Sequence, residues 1–145
     1  MRFADLITTF ATEQGVRPPR PDPDGGYTFL FDGRYTTRLR PAPQGQILLD
    51  AAVGKLPADR QGGEALARRV LAANRGRMAS RTEILSLSEA DVLILYRLLP
   101  GDIGVLDLAE AVESFVNAQI DWTQRCQAPP TLSMPDFAQP LLFFP

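Results

Sequence analysis

The stretch from Glu83 to Leu99 reads E-I-L-S-L-S-E-A-D-V-L-I-L-Y-R-L-L. Two apolar runs, Ile84–Leu87 and Val92–Leu99, are separated by Ser88, Glu89, Ala90 and Asp91. Short apolar runs bounded by turn residues read as strands, so the stretch predicts a strand pair. In the second run Val92, Ile94, Tyr96 and Leu98 alternate onto one side. Leu93, Leu95 and Leu99 alternate onto the other, interrupted only by Arg97. A strand with one wet face alternates polar with apolar residues. This one does not, so both of its faces need cover. Helices of the same chain can supply one cover, and a second copy of the chain is the expected other. Leu85, Leu87, Leu93, Leu95 and Arg97 are therefore expected at or near a two-fold contact. Arg97 would need a carboxylate or carbonyl partner there, because an unpaired buried charge is costly.

Working outward, Pro100-Gly101-Asp102 stops the second strand, and a long amphipathic helix is expected over 104–125. Val105, Leu108, Ala109, Val112, Phe115, Val116 and Gln119 trace its apolar face. Upstream, residues 64–74 predict a helix with Leu66, Val70 and Ala73 on one stripe. Arg75-Gly76-Arg77 suits its C-terminal end. Before that lie three strands, 27–31, 34–40 and 46–53, that read as an antiparallel meander. Asp32-Gly33 joins the first two as a hairpin turn, a dipeptide that tolerates the positive φ such turns need. Residues 2–14 predict the first helix, with Phe3, Leu6, Ile7, Phe10 and Ala11 on one 3.6-residue stripe and Gly15 as its stop. The order is α-β-β-β-α-β-β-α, an α+β domain with helices against a twisted antiparallel sheet.

At 145 residues the chain is expected to hold one domain, large enough to bury a core without a disulfide or metal staple. Net charge is −2, from 17 acidic and 15 basic residues, which does not support a nucleic-acid or anionic-membrane partner. A single cysteine, Cys126, excludes an intrachain disulfide and suits a reducing cytoplasm. The absence of histidine removes most metal sites and every Ser-His or Cys-His nucleophile pair. No signal peptide or membrane span is visible in the sequence.

The remaining chemistry is weak. Asp50, Glu83, Asp91 and Asp107 could form a carboxylate pair only through folding, and solvated surface acids are the favoured reading. Cys126 sits beside Arg125, which could lower its pKa, but an unreactive thiol is favoured. Tyr27, Phe29, Phe31 and Tyr35 could stack nucleobases, but core packing suits an acidic chain better. The segment 17–26, R-P-P-R-P-D-P-D-G-G, is a polyproline ligand or, by preference, an ordered linker. No catalytic residue, metal ligand or cofactor is assigned. What stands out is surplus apolar surface, which on a soluble protein usually marks partner binding.

The chain resembles the class I chaperones of bacterial type III secretion, the Tir-chaperone-like proteins. The resemblance covers about residues 1–126. It rests on F-A-D-L-I-T-T-F-A, Y-T-F-L-F-D-G-R-Y-T-T-R-L, I-L-L-D-A-A-V, D-V-L-I-L-Y-R-L-L-P and V-L-D-L-A-E-A-V-E-S-F-V-N-A-Q-I-D-W. Element order, length and acidity agree with it. The Pro-rich insert at 17–24 and the tail after 126 depart from it. The resemblance implies a cytoplasmic bacterial homodimer without catalysis that holds the N-terminal segment of a secreted effector in extended form. It also implies contact with the export-apparatus ATPase. Apolar grooves would take the effector's side chains, and a strand could add to the sheet edge. On this reading Phe3, Ile7, Phe10, Leu30, Phe31 and Leu48 line the groove. The alternatives are a non-secretory protein-binding or regulatory domain of the same shape, or a small carboxylate enzyme.

Residues 127–145 form a second unit, a Pro-rich apolar tail that cannot make a useful helix. Its Leu132, Phe137 and the 141–144 cluster Leu-Leu-Phe-Phe are too apolar for a free solvated terminus. They are expected either to occupy an apolar groove in place of an effector segment or to cover a structural gap.

Overall fold

The computed structural model describes residues 2–80, 83–88 and 90–127, with backbone alone over 73–80. The elements are α1 (Phe3–Glu13), β1 (Tyr27–Phe31), β2 (Tyr35–Pro41), a short 3-10 turn (Pro43–Gly45), β3 (Ile47–Lys55), α2 (Arg60–Ser80), β4 (Ile84–Leu87), β5 (Val92–Leu99) and α3 (Val105–Gln127). This is the α+β order expected. The tail from residue 128 onward, and with it the readings of Leu132, Phe137 and the 141–144 cluster, lies outside the described residues.

The five strands form one antiparallel sheet in the order β1-β2-β3-β5-β4. The strand pair joins the meander through its second strand, placing β5 centrally and leaving β1 and β4 as edges. Opposed residues share a face, and the register sorts the sheet into two. Phe29, Thr37, Leu39, Leu49, Ala51, Leu95 and Leu85 point to the helices and are buried. They meet Leu6, Ile7 and Phe10 of α1, Leu66 and Val70 of α2, and Leu108, Val112, Phe115 and Trp122 of α3 in one core. The far face carries Arg38, Arg40, Leu48, Asp50, Ile94, Tyr96, Leu98 and Ile84, none of which enters that core.

Local chemistry explains the element ends. Gly15, with φ +73°, lies just past α1. Its N–H reaches the Thr12 carbonyl and the Val16 N–H reaches the Ala11 carbonyl, the pair of bonds that closes a helix in a left-handed C-cap. Asp32 and Gly33 both have positive φ, and the Arg34 N–H donates to the Phe31 carbonyl. Arg34 falls inside the reversal, so β2 starts one residue later than the alternation predicts. Helix α2 is longer than expected at both ends. Asp59 Oδ2 accepts from the Gly62 N–H at 2.6 Å, an N-cap that starts the helix before the Gly62-Gly63 pair. At the other end Arg75-Gly76-Arg77 does not stop it.

Polar groups tie the layers together. Gln119 of α3 reaches the start of β2, where its Oε1 accepts from the Thr37 hydroxyl at 2.7 Å and its Nε2 donates to the Thr36 carbonyl at 3.0 Å. A Cβ on Gly101 would run into the Gly45 carbonyl, so this glycine lets the turn after β5 cross the turn before β3.

Candidate functional site

Strand β1 is an edge strand, and among the described residues its backbone pairs only with β2. Its Tyr27, Phe29 and Phe31 face the helices. Phe29 meets Phe10 edge-on at 5.4 Å and stacks with Phe31 at 6.1 Å, and Phe3 tilts against Tyr27 at 5.6 Å. These rings are occupied with one another and are not a free stacking platform for nucleobases.

Two concavities flank the open edge. The larger, about 640 Å³, lies between the end of α1, the end of β1 and the outer side of α3. Phe10, Phe31, Leu106, Ala109, Val112 and Val116 supply apolar surface, and Gln14, Asp32, Glu110, Glu113 and Asn117 supply polar surface. The smaller, about 320 Å³, is bordered by Val16, Pro19, Phe29, Leu30 and Phe31, with Arg17 its one cation. Phe10, Gln14, Phe31 and Asp32 line both, so the two are adjoining troughs along one edge. The Pro-rich segment builds a wall of the smaller one. It is held by Thr28, whose hydroxyl donates to Asp22 Oδ2 at 2.9 Å, and by Asp22–Gly26 backbone bonds.

The six residues expected in one groove separate. Phe10 and Phe31 line both troughs, and Leu30, 62% exposed, lines the smaller. Phe3 lines a third hollow, with Leu6, Ile47 and Gly101. Ile7 is fully buried in the core and offers no surface. Leu48 lies on the opposite sheet face, beside Leu98. The α3 contribution, above all Leu106 at 80% exposure, was not foreseen. Its signal was present, since Leu106 is a large apolar residue off the helix's core stripe.

The five residues expected at a two-fold contact also separate. Leu85, Leu93 and Leu95 are buried beneath this chain's own helices. Arg97 shares their face, opposite Leu49, and is half-buried, whereas Leu87 is exposed. The cover from within the chain thus falls on the side expected for the partner. Among the described residues, the face that the helices leave uncovered is the other one, with Ile84, Ile94, Tyr96, Leu98 and Leu48. Periodicity defines two faces of a strand but not which one the helices take.

The candidate carboxylates do not converge. Asp50 is held on the far face by Arg40 at 2.7 Å and Arg38 at 3.3 Å. Glu83 is buried before β4, Asp91 sits in the turn before β5 with φ +61°, and Asp107 is exposed on the first turn of α3. Burial pushes the Cys126 thiol up, partly opposed by the positive charge of Arg69. Arg125 is engaged elsewhere, with Asp121 at 3.1 Å and over the Trp122 ring. Among the described residues no group of three His, Cys, Asp or Glu could hold a metal ion, and no helix is long and apolar enough to cross a membrane.

An α1-flanked five-stranded sheet with two adjoining troughs beside its β1 edge is thus in place, and the model of the Tir chaperone protein (CesT) family matches residues 5–123. The chain belongs to the Tir chaperone family. Similar solved structures share the fold. One, a HopA1–SchA chaperone–effector complex, is 16% identical with a TM-score of 0.71, over 84% of this chain and 93% of that one. The Yersinia pestis type III secretion chaperone SycH, solved with a stable fragment of YscM2, is 20% identical with a TM-score of 0.65, over 83% and 99%. A chain of the ExsC–ExsE complex is 18% identical with a TM-score of 0.70, over 83% and 90%. Comparison with curated proteins finds no match.

Proposed function

We propose that this protein is a type III secretion chaperone of the bacterial cytoplasm that binds the N-terminal segment of a secreted effector and keeps it soluble and export-competent. The observation that carries the reading is the β1 edge, unpaired on its outer side among the described residues, with two adjoining troughs beside it. An extended segment can add its backbone to such an edge and place alternate side chains in the troughs. Family membership supports the reading, and the similar HopA1–SchA structure is described as a chaperone–effector complex. No residue is assigned a catalytic role, and binding needs no cofactor. The direct test is co-expression with the product of the neighbouring gene and purification through a tag on this chain. A stoichiometric complex supports the reading, and an effector that remains insoluble and unbound refutes it.

The working unit in this proposal is a homodimer, joined through the open face of β3, β5 and β4. Ile84, Ile94, Tyr96 and Leu98 lie together there, outside the core that the described helices cover, with Leu98 exposed and the others half-buried. A two-fold contact is self-complementary, so one apolar patch suffices. Light scattering should give twice the 15.9 kDa chain mass. Leu98→Asp should shift it toward the monomer, and a wild-type monomer would contradict the proposal. Contact with the export-apparatus ATPase is proposed on the family resemblance alone.

A further inference from the structure

The larger trough is apolar in its floor and one-signed in its charge. Asp32 stands at its β1 end, and Glu110 and Glu113 line its α3 side. All three are exposed, and none makes an ion pair among the described residues. Glu110 and Glu113 are three apart on one helix, where like charges oppose helix formation slightly. Two other surface carboxylates on helices do have ion pairs, Glu64 with Arg60 and Asp121 with Arg125. The two helices that border the trough, α1 and α3, carry Asp5, Glu13, Asp107, Glu110, Glu113 and Asp121 against the single cation Arg125, whereas α2, which does not border it, carries Arg60, Arg68 and Arg69 with Glu64. The cations of β2, Arg38 and Arg40, lie on the opposite face of the sheet with Asp50.

We infer that the segment this trough receives is a basic one: an extended strand that alternates apolar residues with Lys or Arg and presents its cations to Asp32, Glu110 and Glu113. The inference rests on the groove reading proposed above. Apolar side chains fill the floor made by Phe10, Phe31, Val112 and Val116. The flanking cations neutralise a rim that is unpaired in the free protein. An acidic segment of the same apolar content is rejected, because like charges would face each other across a partly dry trough. The charge selects among segments, while the apolar floor and the strand edge supply most of the affinity.

The test uses the full chain and three labelled peptides of roughly ten residues, the length of a strand with flanks. They alternate Leu with Lys, Leu with Thr and Leu with Glu. Fluorescence anisotropy at low and high salt reads the affinities. At low salt the Lys peptide should bind roughly 3- to 10-fold tighter than the Thr peptide, as expected for two or three exposed pairs. The Glu peptide should bind more weakly still, and high salt should compress the order. Glu110→Gln/Glu113→Gln should flatten it. The charge-matched Asp5→Asn/Asp102→Asn, outside the trough, should leave it intact. Equal binding of all three peptides by the wild type overturns the charge inference and leaves the groove reading standing. So does equal flattening by both double variants, which would reduce the effect to net charge. If no peptide binds at either salt concentration, the groove reading fails and the inference falls with it.

Discussion

Phe10 and Phe31 touch the same troughs but are held differently, and this separates folding from binding. Phe10 is 1% exposed and meets Phe29 edge-on. Truncating a buried Phe to Ala costs about 3–5 kcal/mol in lost burial and cavity formation. Phe31 is half-buried, and its main partner within the chain is the stacked Phe29 ring. Loss of that pair and of part of its burial should cost only about 1–2 kcal/mol. Phe31 is also, with Phe10, one of the two apolar residues common to both troughs, and the more exposed of the pair, the position expected of a binding hot spot. Its loss should cost about 2 kcal/mol of affinity, roughly 30-fold. Urea unfolding reads the first quantity, and titration with the effector's N-terminal segment reads the second. Phe10→Ala should lower stability strongly. Phe31→Ala should remain folded and bind far more weakly. A Phe31→Ala protein that binds like wild type, or that unfolds as readily as Phe10→Ala, would refute the reasoning.

Three further outcomes are expected. Gln119→Leu strands the Thr37 hydroxyl and the Thr36 carbonyl, and should cost about 2–4 kcal/mol in urea unfolding; a neutral result would contradict the buried network. Because burial raises the Cys126 thiol, its alkylation by iodoacetamide should be slower at neutral pH than that of an exposed cysteine. The rate should still be climbing at pH values above the ordinary thiol range, whereas a plateau near neutrality would mean a depressed pKa. Truncation after Pro130 should leave the domain folded and tighten binding of the effector segment if the apolar tail competes for a groove; unchanged affinity in a stable truncation would discard that competition.

Element identity was legible because hydrophobic period and turn chemistry agree along most of the chain. The periodicity of Phe3 to Ala11 and the left-handed Gly15 both mark α1, and the bounds of β1, β4 and β5 follow directly from their apolar runs. Helix α2 was less legible. Its N-cap Asp59 acts across a Gly-Gly pair that reads as loop, and the Gly76 that reads as a stop lies within it. The site was only partly legible. A stripe such as Phe3-Leu6-Ile7-Phe10 shows which residues leave water, but not which ones also border an open trough. That depends on where α3 lies across the sheet, a long-range relation fixed by contacts such as Gln119 with Thr37. The same limit applies to β5. Its two apolar faces were plain, but the helices cover the side with Leu93 and Leu95 and leave Ile94 and Leu98 open.

The central claim is that an extended partner segment docks along the β1 edge. Hydrogen exchange on the free chaperone and on its purified complex with the effector segment tests it most directly. Bound segment should slow exchange of the β1 amides, residues 27–31, as their outward N–H groups gain partners, and should slow the end of α1 with it. Protection that leaves 27–31 unchanged and appears instead along β4 would contradict the account.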